Sequence, residues 1–254
     1  MEISSERCAG LDVHKKSVVA CRIVPGTNGG WDKVVRTFGT MSEDLAQLSS
    51  WLGEGQVTDV ALESTGVYWK PVFNALEDKF KVILVNAKHI KQVPGRKTDI
   101  KDAQWMAELL QHGLLKASYI PEQAQRELRE FVRYRSHLIE ERSREVNRLQ
   151  KVLEDANLKL GSVATDVLGV SGRAMIEGII AGQEDAAVLA QLAKARMRPK
   201  IAELQRALVG RVRDSHRLLL QLHLEHIDDL DAKIARLDEE IGLRLPPFDQ
   251  HDLI

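Results

Sequence analysis

Residues 8–24 read CAGLDVHKKSVVACRIV. Two apolar runs, CAGLDV and SVVACRIV, flank the short polar stretch HKK. The second run is rich in β-branched residues, so the segment predicts a strand, a tight turn and an antiparallel strand. The aspartate inside the first run, Asp12, is the anomaly. A carboxylate in an apolar strand is costly unless it is paired or holds a cation.

Working outward, the glycine-rich turn PGTNGG leads to a third strand, VVRTFG at 34–39, which completes an antiparallel meander. The period then changes. SEDLAQLSSWL (42–52) has helical spacing at Leu45, Leu48 and Leu52, with Ser42 placed to cap it. VTDVALE (57–63) predicts a strand, and TGVYWKPVFNALEDKF (65–80) a helix with Pro71 in its first turns. KVILV (81–85) predicts a strand buried on both faces, and IKDAQWMAELLQHG (100–113) a helix stopped by Gly113. The order βββαβαβα predicts a mixed five-stranded sheet covered by helices. It resembles the strand-and-helix order of the ribonuclease H-like fold.

From Pro121 onward the chain reads as helix. Leu128, Val132, Ile139, Val146, Leu149, Leu153 and Leu160 follow a four–three spacing, with Arg135 and Arg142 in the same seam. A second stripe runs through Leu208, Val212, Leu219, His223, Ile227, Leu230, Ile234, Leu237 and Ile241. The expectation is an α/β domain over 1–118 and an all-α arm over 119–245. That arm is a long antiparallel coiled coil with an insertion at about 161–207. LPPFDQHDLI breaks the last helix, so 246–254 reads as the start of a linker into a further domain.

The net charge of −1 gives no global nucleic-acid signal, and 29% charged residues fit long solvated helices. Cys8 and Cys21 both fall in strands and read as buried thiols. No apolar run approaches membrane-spanning length, and the expected location is the cytoplasm.

Four carboxylates stand where chemistry needs them. Asp12 and Glu63 close the first and fourth strands, which are parallel neighbours in this layout, so both emerge at one sheet end. Asp99 and Asp102, in GRKTDIKDAQW (95–105), share a face at the start of the next helix. Alone, that pair is also what a helix cap and dipole favour. Convergence with Asp12 and Glu63 points instead to a divalent-cation site. Mg²⁺ or Mn²⁺ takes oxygen ligands, and a pair of ions roughly 4 Å apart suits phosphodiester chemistry. Lys15, Lys16, Lys88, Lys91, Arg96, Lys97 and Lys101 surround these acids as candidate phosphate contacts.

The motifs GLDVHKKSVV, ALESTGVYW and GRKTDIKDAQWMAELL, in this order over roughly 8–160, resemble the DEDD transposases of the IS-one-ten insertion-sequence family. The resemblance implies a RuvC-like domain whose Asp12, Glu63, Asp99 and Asp102 bind Mg²⁺. It implies DNA as substrate, a structured guide RNA, and a homodimer or higher oligomer formed through the coiled coil. Family members carry a nucleophilic serine in a C-terminal domain. This sequence ends at about the point where that domain would begin, which implies a catalytic N-terminal part. A stand-alone RuvC-like junction nuclease and a non-catalytic nucleic-acid-binding remnant are the competing readings.

Overall fold

The computed structural model describes residues 3–63, 66–86 and 101–245. They divide into two compact units, residues 1–121 and 122–254.

The first unit opens with β1 (Cys8–Val13), β2 (Ser17–Pro25) and β3 (Trp31–Gly39), then α1 (Ser42–Glu54), β4 (Asp59–Glu63), α2 (Trp69–Leu76) and β5 (Lys81–Val85). It closes with α3 (Lys101–Gln111) and β6 (Ala117–Ser118). The sheet order is β3-β2-β1-β4-β5-β6. β1, β2 and β3 pair antiparallel, whereas β1, β4 and β5 pair parallel. This is the ribonuclease H-like arrangement. Among the described residues the sheet has six strands rather than the expected five, because the two-residue β6 adds antiparallel to β5. Two residues carry no readable alternation.

Alternation of side chains divides the packing into two layers. Leu11, Leu62 and Val60 face α1 and α2, meeting Leu48, Leu52, Val72 and Leu76. Cys8, Cys21, Ala61 and Val85 face α3, meeting Ala103, Met106 and Ala107. Both cysteines are free and fully buried. Burial pushes the Cys8 thiol up to about 12 and Cys21 to about 11. β5 is less enclosed than expected, with Lys81 exposed and Val82 and Ile83 half-buried. Ser42 does not cap α1. Met41 is the N-cap, and its backbone N–H donates to Asp44 Oδ2 at 3.2 Å.

In the second unit two long helices, α4 (Gln123–Asp155) and α9 (Asp214–Arg244), run antiparallel. Between them lie α5 (Leu160–Val163), α6 (Val170–Ile180), α7 (Ala186–Ala190), a 3₁₀ helix (Ala195–Lys200) and α8 (Ile201–Ala207). The direction follows from ion pairs that descend in α9 as they ascend in α4: Arg135 with Asp238, Arg142 with Asp231, Glu145 with His223, and Asp155 with His216. The apolar seam differs from the heptad reading. Leu128, Leu138, Glu145, Leu149 and Leu153 are buried on α4, while Val132 and Ile139 are exposed. On α9, Leu220 and Leu224 are buried and Leu219 is exposed. Residues 161–207 join Leu149, Leu153, Leu220, Leu224 and Ile227 in one apolar core.

Glu145 explains part of the shift. It is 5% exposed, yet His223 Nδ1 lies 2.6 Å from one carboxylate oxygen and Arg148 donates to the other at 2.7 Å. Burial by itself would push this carboxyl up, but the hydrogen bonds from His223 and Arg148 outweigh it and hold it below the ordinary value of 4.5. A depressed carboxyl contributes stability that is present above 4.5 and lost as pH falls through the folded-state pKa. Glu145→Gln is expected to cost about 1–2 kcal/mol at neutral pH and to flatten that acid-side loss. Denaturant melts across a pH series check this, and an unchanged acid limb would contradict it.

Candidate functional site

The parallel register of β1 on β4 runs from Cys8 opposite Asp59 to Leu11 opposite Leu62. The next residue on each strand is Asp12 and Glu63, so the two carboxylates stand side by side where the strands end. Leu11 and Leu62 belong to the layer of α1 and α2. Alternation therefore turns Asp12 and Glu63 to the α3 side of the sheet.

What brings α3 to that face is Gly10. A β-carbon at Gly10 would sit well under 3.0 Å from the Ala103 carbonyl oxygen and the Ala107 backbone nitrogen. The helix backbone thus lies directly on the strand, as a glycine inside a strand permits. The Cys8 thiol donates to the Ala107 carbonyl at 3.5 Å. Gly10 lies against α3 from Ala103 to Ala107 and Cys8 bonds to Ala107, at the later end of that span, so the helix runs antiparallel to β1. Its first turn, carrying Asp102, therefore lies toward the Asp12 end of β1, close enough for its charge to act on Asp12. The sequence pattern does not single out Gly10, although a glycine in an apolar strand is the available signal.

The electrostatics agree with this placement. Asp12 has a side chain only 16% exposed, and His14 Nε2 lies 3.1 Å from its Oδ2. Its carboxyl is held above the ordinary value of 3.8. Burial is the largest cause; His14 opposes it, and the charges of Asp102 and Glu63 push further up. Three of the four expected carboxylates therefore share one field. His14 is the residue whose part the motif pattern leaves out: it pairs with Asp12 across the β1–β2 turn, closed by His14 N–H donating to the Ser17 carbonyl at 2.9 Å.

Among the described residues, no three His, Cys, Asp or Glu side chains are drawn together tightly enough to hold a metal ion. The fourth carboxylate, Asp99, lies outside the described residues, as do Lys88, Lys91, Arg96, Lys97 and the side chain of Lys101. Lys15 and Lys16 are exposed on the β1–β2 turn. Gly66 takes a positive φ of 56° at the turn after β4, a conformation glycine adopts without strain. Trp69 packs on the core, edge-on to Phe73 with ring centroids 5.8 Å apart. Tyr68, beside it, is 42% exposed. None of the helices is long and apolar enough to cross a membrane, among the described residues.

A family model for transposases of the DEDD, IS110 type matches residues 9–158, more than half of the chain. Two solved structures are similar at low identity. One is Thermus thermophilus RuvC, with 13% identity, a TM-score of 0.32, and alignment of 44% of this chain to 99% of that one. The other is T. thermophilus RuvC in complex with a Holliday junction substrate, with 12% identity, a TM-score of 0.31 and the same coverages. Comparison with curated proteins finds no match. With the motif residues Asp12, Glu63 and Asp102 inside the matched span, the chain belongs to the IS110-type family of DEDD transposases.

Proposed function

We propose that this chain is the metal-binding catalytic part of a DNA transposase, with Asp12, Glu63, Asp99 and Asp102 as its carboxylates. The observation that carries the reading is the register of β1 on β4. It sets Asp12 and Glu63 side by side at the parallel strand ends, within the field of Asp102. Carboxylates that raise one another's proton affinity are the donor set a hard divalent cation stabilises. Mg²⁺ or Mn²⁺ bound there would polarise a scissile phosphate. The chain's own residues orient the site. His14 holds one oxygen of Asp12, and Gly10 sets how closely the first turn of α3 approaches. Lys15, Lys16, Lys88, Lys91, Arg96, Lys97 and Lys101 are proposed to meet the DNA backbone. A structured guide RNA and a homodimer or higher oligomer built through α4 and α9 complete the reading.

The test is DNA cleavage by the protein made from its native locus, with Mg²⁺ or with chelator. Mg²⁺-dependent strand cleavage that leaves protein covalently joined to a DNA end is expected, and Glu63→Gln should abolish it. Free DNA ends with no adduct would replace a serine-dependent transposase with a water-driven nuclease. Cleavage that survives Glu63→Gln would remove the carboxylates from the mechanism.

A further inference from the structure

Residues 194–213 read KARMRPKIAELQRALVGRVR, with seven lysines and arginines against the single acid Glu203. The segment comprises the 3₁₀ helix, α8 and the loop into α9. Elsewhere in the same unit most cations sit on acids, among them Arg135 on Asp238, Arg142 on Asp231, Arg173 on Asp228 and Glu177, and Arg217 on Glu184; those that do not, such as Arg133, Lys151 and Arg236, are scattered singly along α4 and α9. Among the described residues, Lys194, Arg196, Arg198, Arg206, Arg211 and Arg213 have no such ion pair, and all six are exposed.

The segment is also firmly seated. Lys194 N–H donates to Ser171 Oγ at 2.8 Å, and Lys200 Nζ to the Val163 carbonyl at 3.0 Å. Lys159 N–H donates to the Ala207 carbonyl, and Arg211 N–H to the Ala156 carbonyl, both at 2.8 Å. Leu204 and Leu208 are buried in the core, and Met197 and Ile201 pack against it. The apolar residues face in and the cations between them face out. A fixed run of like charges repels itself unless a polyanion neutralises it.

We propose that residues 194–213 form a second docking surface, carried by the helical unit, for the phosphate backbone of a DNA duplex. The partner class rests on the transposase reading, but the surface uses none of the carboxylate site. Arginines on a rigid support are suited to phosphate oxygens, which they meet with paired N–H groups. Contacts of this kind position a DNA duplex without reading its sequence.

The experiment titrates the full chain, in chelator, against a fluorescein-labelled DNA duplex and a labelled stem-loop RNA across a salt series. The variant replaces Arg196, Arg198, Arg206 and Arg211 by glutamine. A control removes the same charge from α4 and α9 at Arg129, Arg133, Lys151 and Arg236. Each phosphate left without its arginine should reduce the slope of log affinity against log salt by about 0.9 on duplex DNA. The four-site variant is expected to lose up to about 3.6 of slope and at least about tenfold in affinity at low salt, well beyond the control. The larger loss is expected on the DNA duplex, and a larger loss on the RNA overturns the assignment. All four residues are exposed, so the melting temperature should stay put; if it falls, the pair Arg196→Gln and Arg198→Gln replaces the variant, with half the slope change. An unchanged slope, an equal fall in the control, or no binding of either nucleic acid by the parent overturns the proposal. A chain that binds with this salt dependence yet never cleaves would sink the catalytic reading and leave the docking surface standing.

Discussion

Asp12→Asn is expected to melt at a higher temperature than the parent chain in chelator, and to lose the parent's response to Mg²⁺. The two halves of the result share one cause. Asp12 is largely removed from water, and it lies in the field of Asp102 and Glu63 with only His14 opposing. Its folded-state pKa is raised, so the fold favours the protonated carboxyl. The stability this gives is fully present at low pH and is lost as pH rises from 3.8 through the raised value. At neutral pH the charged Asp12 is thus a cost to the metal-free fold, and the isosteric amide removes it. The advantage of the variant should grow as pH rises above 3.8 and vanish below it. A divalent cation bound by these carboxylates would reverse the ranking. At a hundred times its dissociation constant a ligand stabilises the parent by about 2.7 kcal/mol, whereas loss of a direct ligand should weaken binding by more than about 100-fold. Strand cleavage should fall by at least as much. Thermal melts with chelator, Mg²⁺ and Mn²⁺ decide it. A variant that melts below the parent in chelator, or keeps its metal response, would show that Asp12 is a structural acid.

The parts of this site that sequence exposes are those set by local pattern. Asp12 interrupts an apolar strand and Glu63 closes another, so topology alone pairs them. KVILV forms β5 at Lys81–Val85, because an apolar run between polar flanks has one sensible length. Gly10 is illegible for a different reason. Its meaning lies in a helix that arrives 93 residues later, at Ala103, and a single glycine does not say which backbone will approach it. The seam of α4 departs from its heptads on chemistry. A pattern of apolar spacing puts Val132 and Ile139 inside, but the buried set includes Glu145, whose charge is satisfied by His223 and Arg148 from positions no heptad rule connects. The two arginines that the sequence sets in the α4 seam, Arg135 and Arg142, are taken up by acids of α9. Among the described residues, the densest run of cations without acids lies in residues 194–213, where no motif marks it.

Gly10→Val is expected to destabilise the chain by more than about 3 kcal/mol. The atoms a side chain would meet are backbone: the Ala103 carbonyl oxygen, the Ala107 nitrogen and the Met106 carbonyl carbon. A flexible side chain could swing away, but a helix backbone cannot yield without withdrawing the whole of α3. That helix fills its layer of the core with Ala103, Met106, Ala107 and Leu110, so its withdrawal opens voids against Cys8, Cys21 and Ala61. Gly10→Ala should fall between parent and valine. Gly53, exposed in α1 with open space around its α-carbon, supplies the contrast. Gly53→Ala should stabilise by about 0.5–1 kcal/mol, since alanine forms helix more readily than glycine. Opposite signs for the same substitution in one domain would isolate contact from propensity. The consequence for the site is separate and measurable. With α3 displaced, Asp102 moves off Asp12, so Gly10→Ala should lose part of its Mg²⁺-induced stabilisation even at temperatures where it remains folded. Parent-like melting of Gly10→Val would mean that α3 does not rest on β1. Asp102 would then have no reason to stand beside Asp12, and the carboxylate cluster would reduce to the pair set by the strand register.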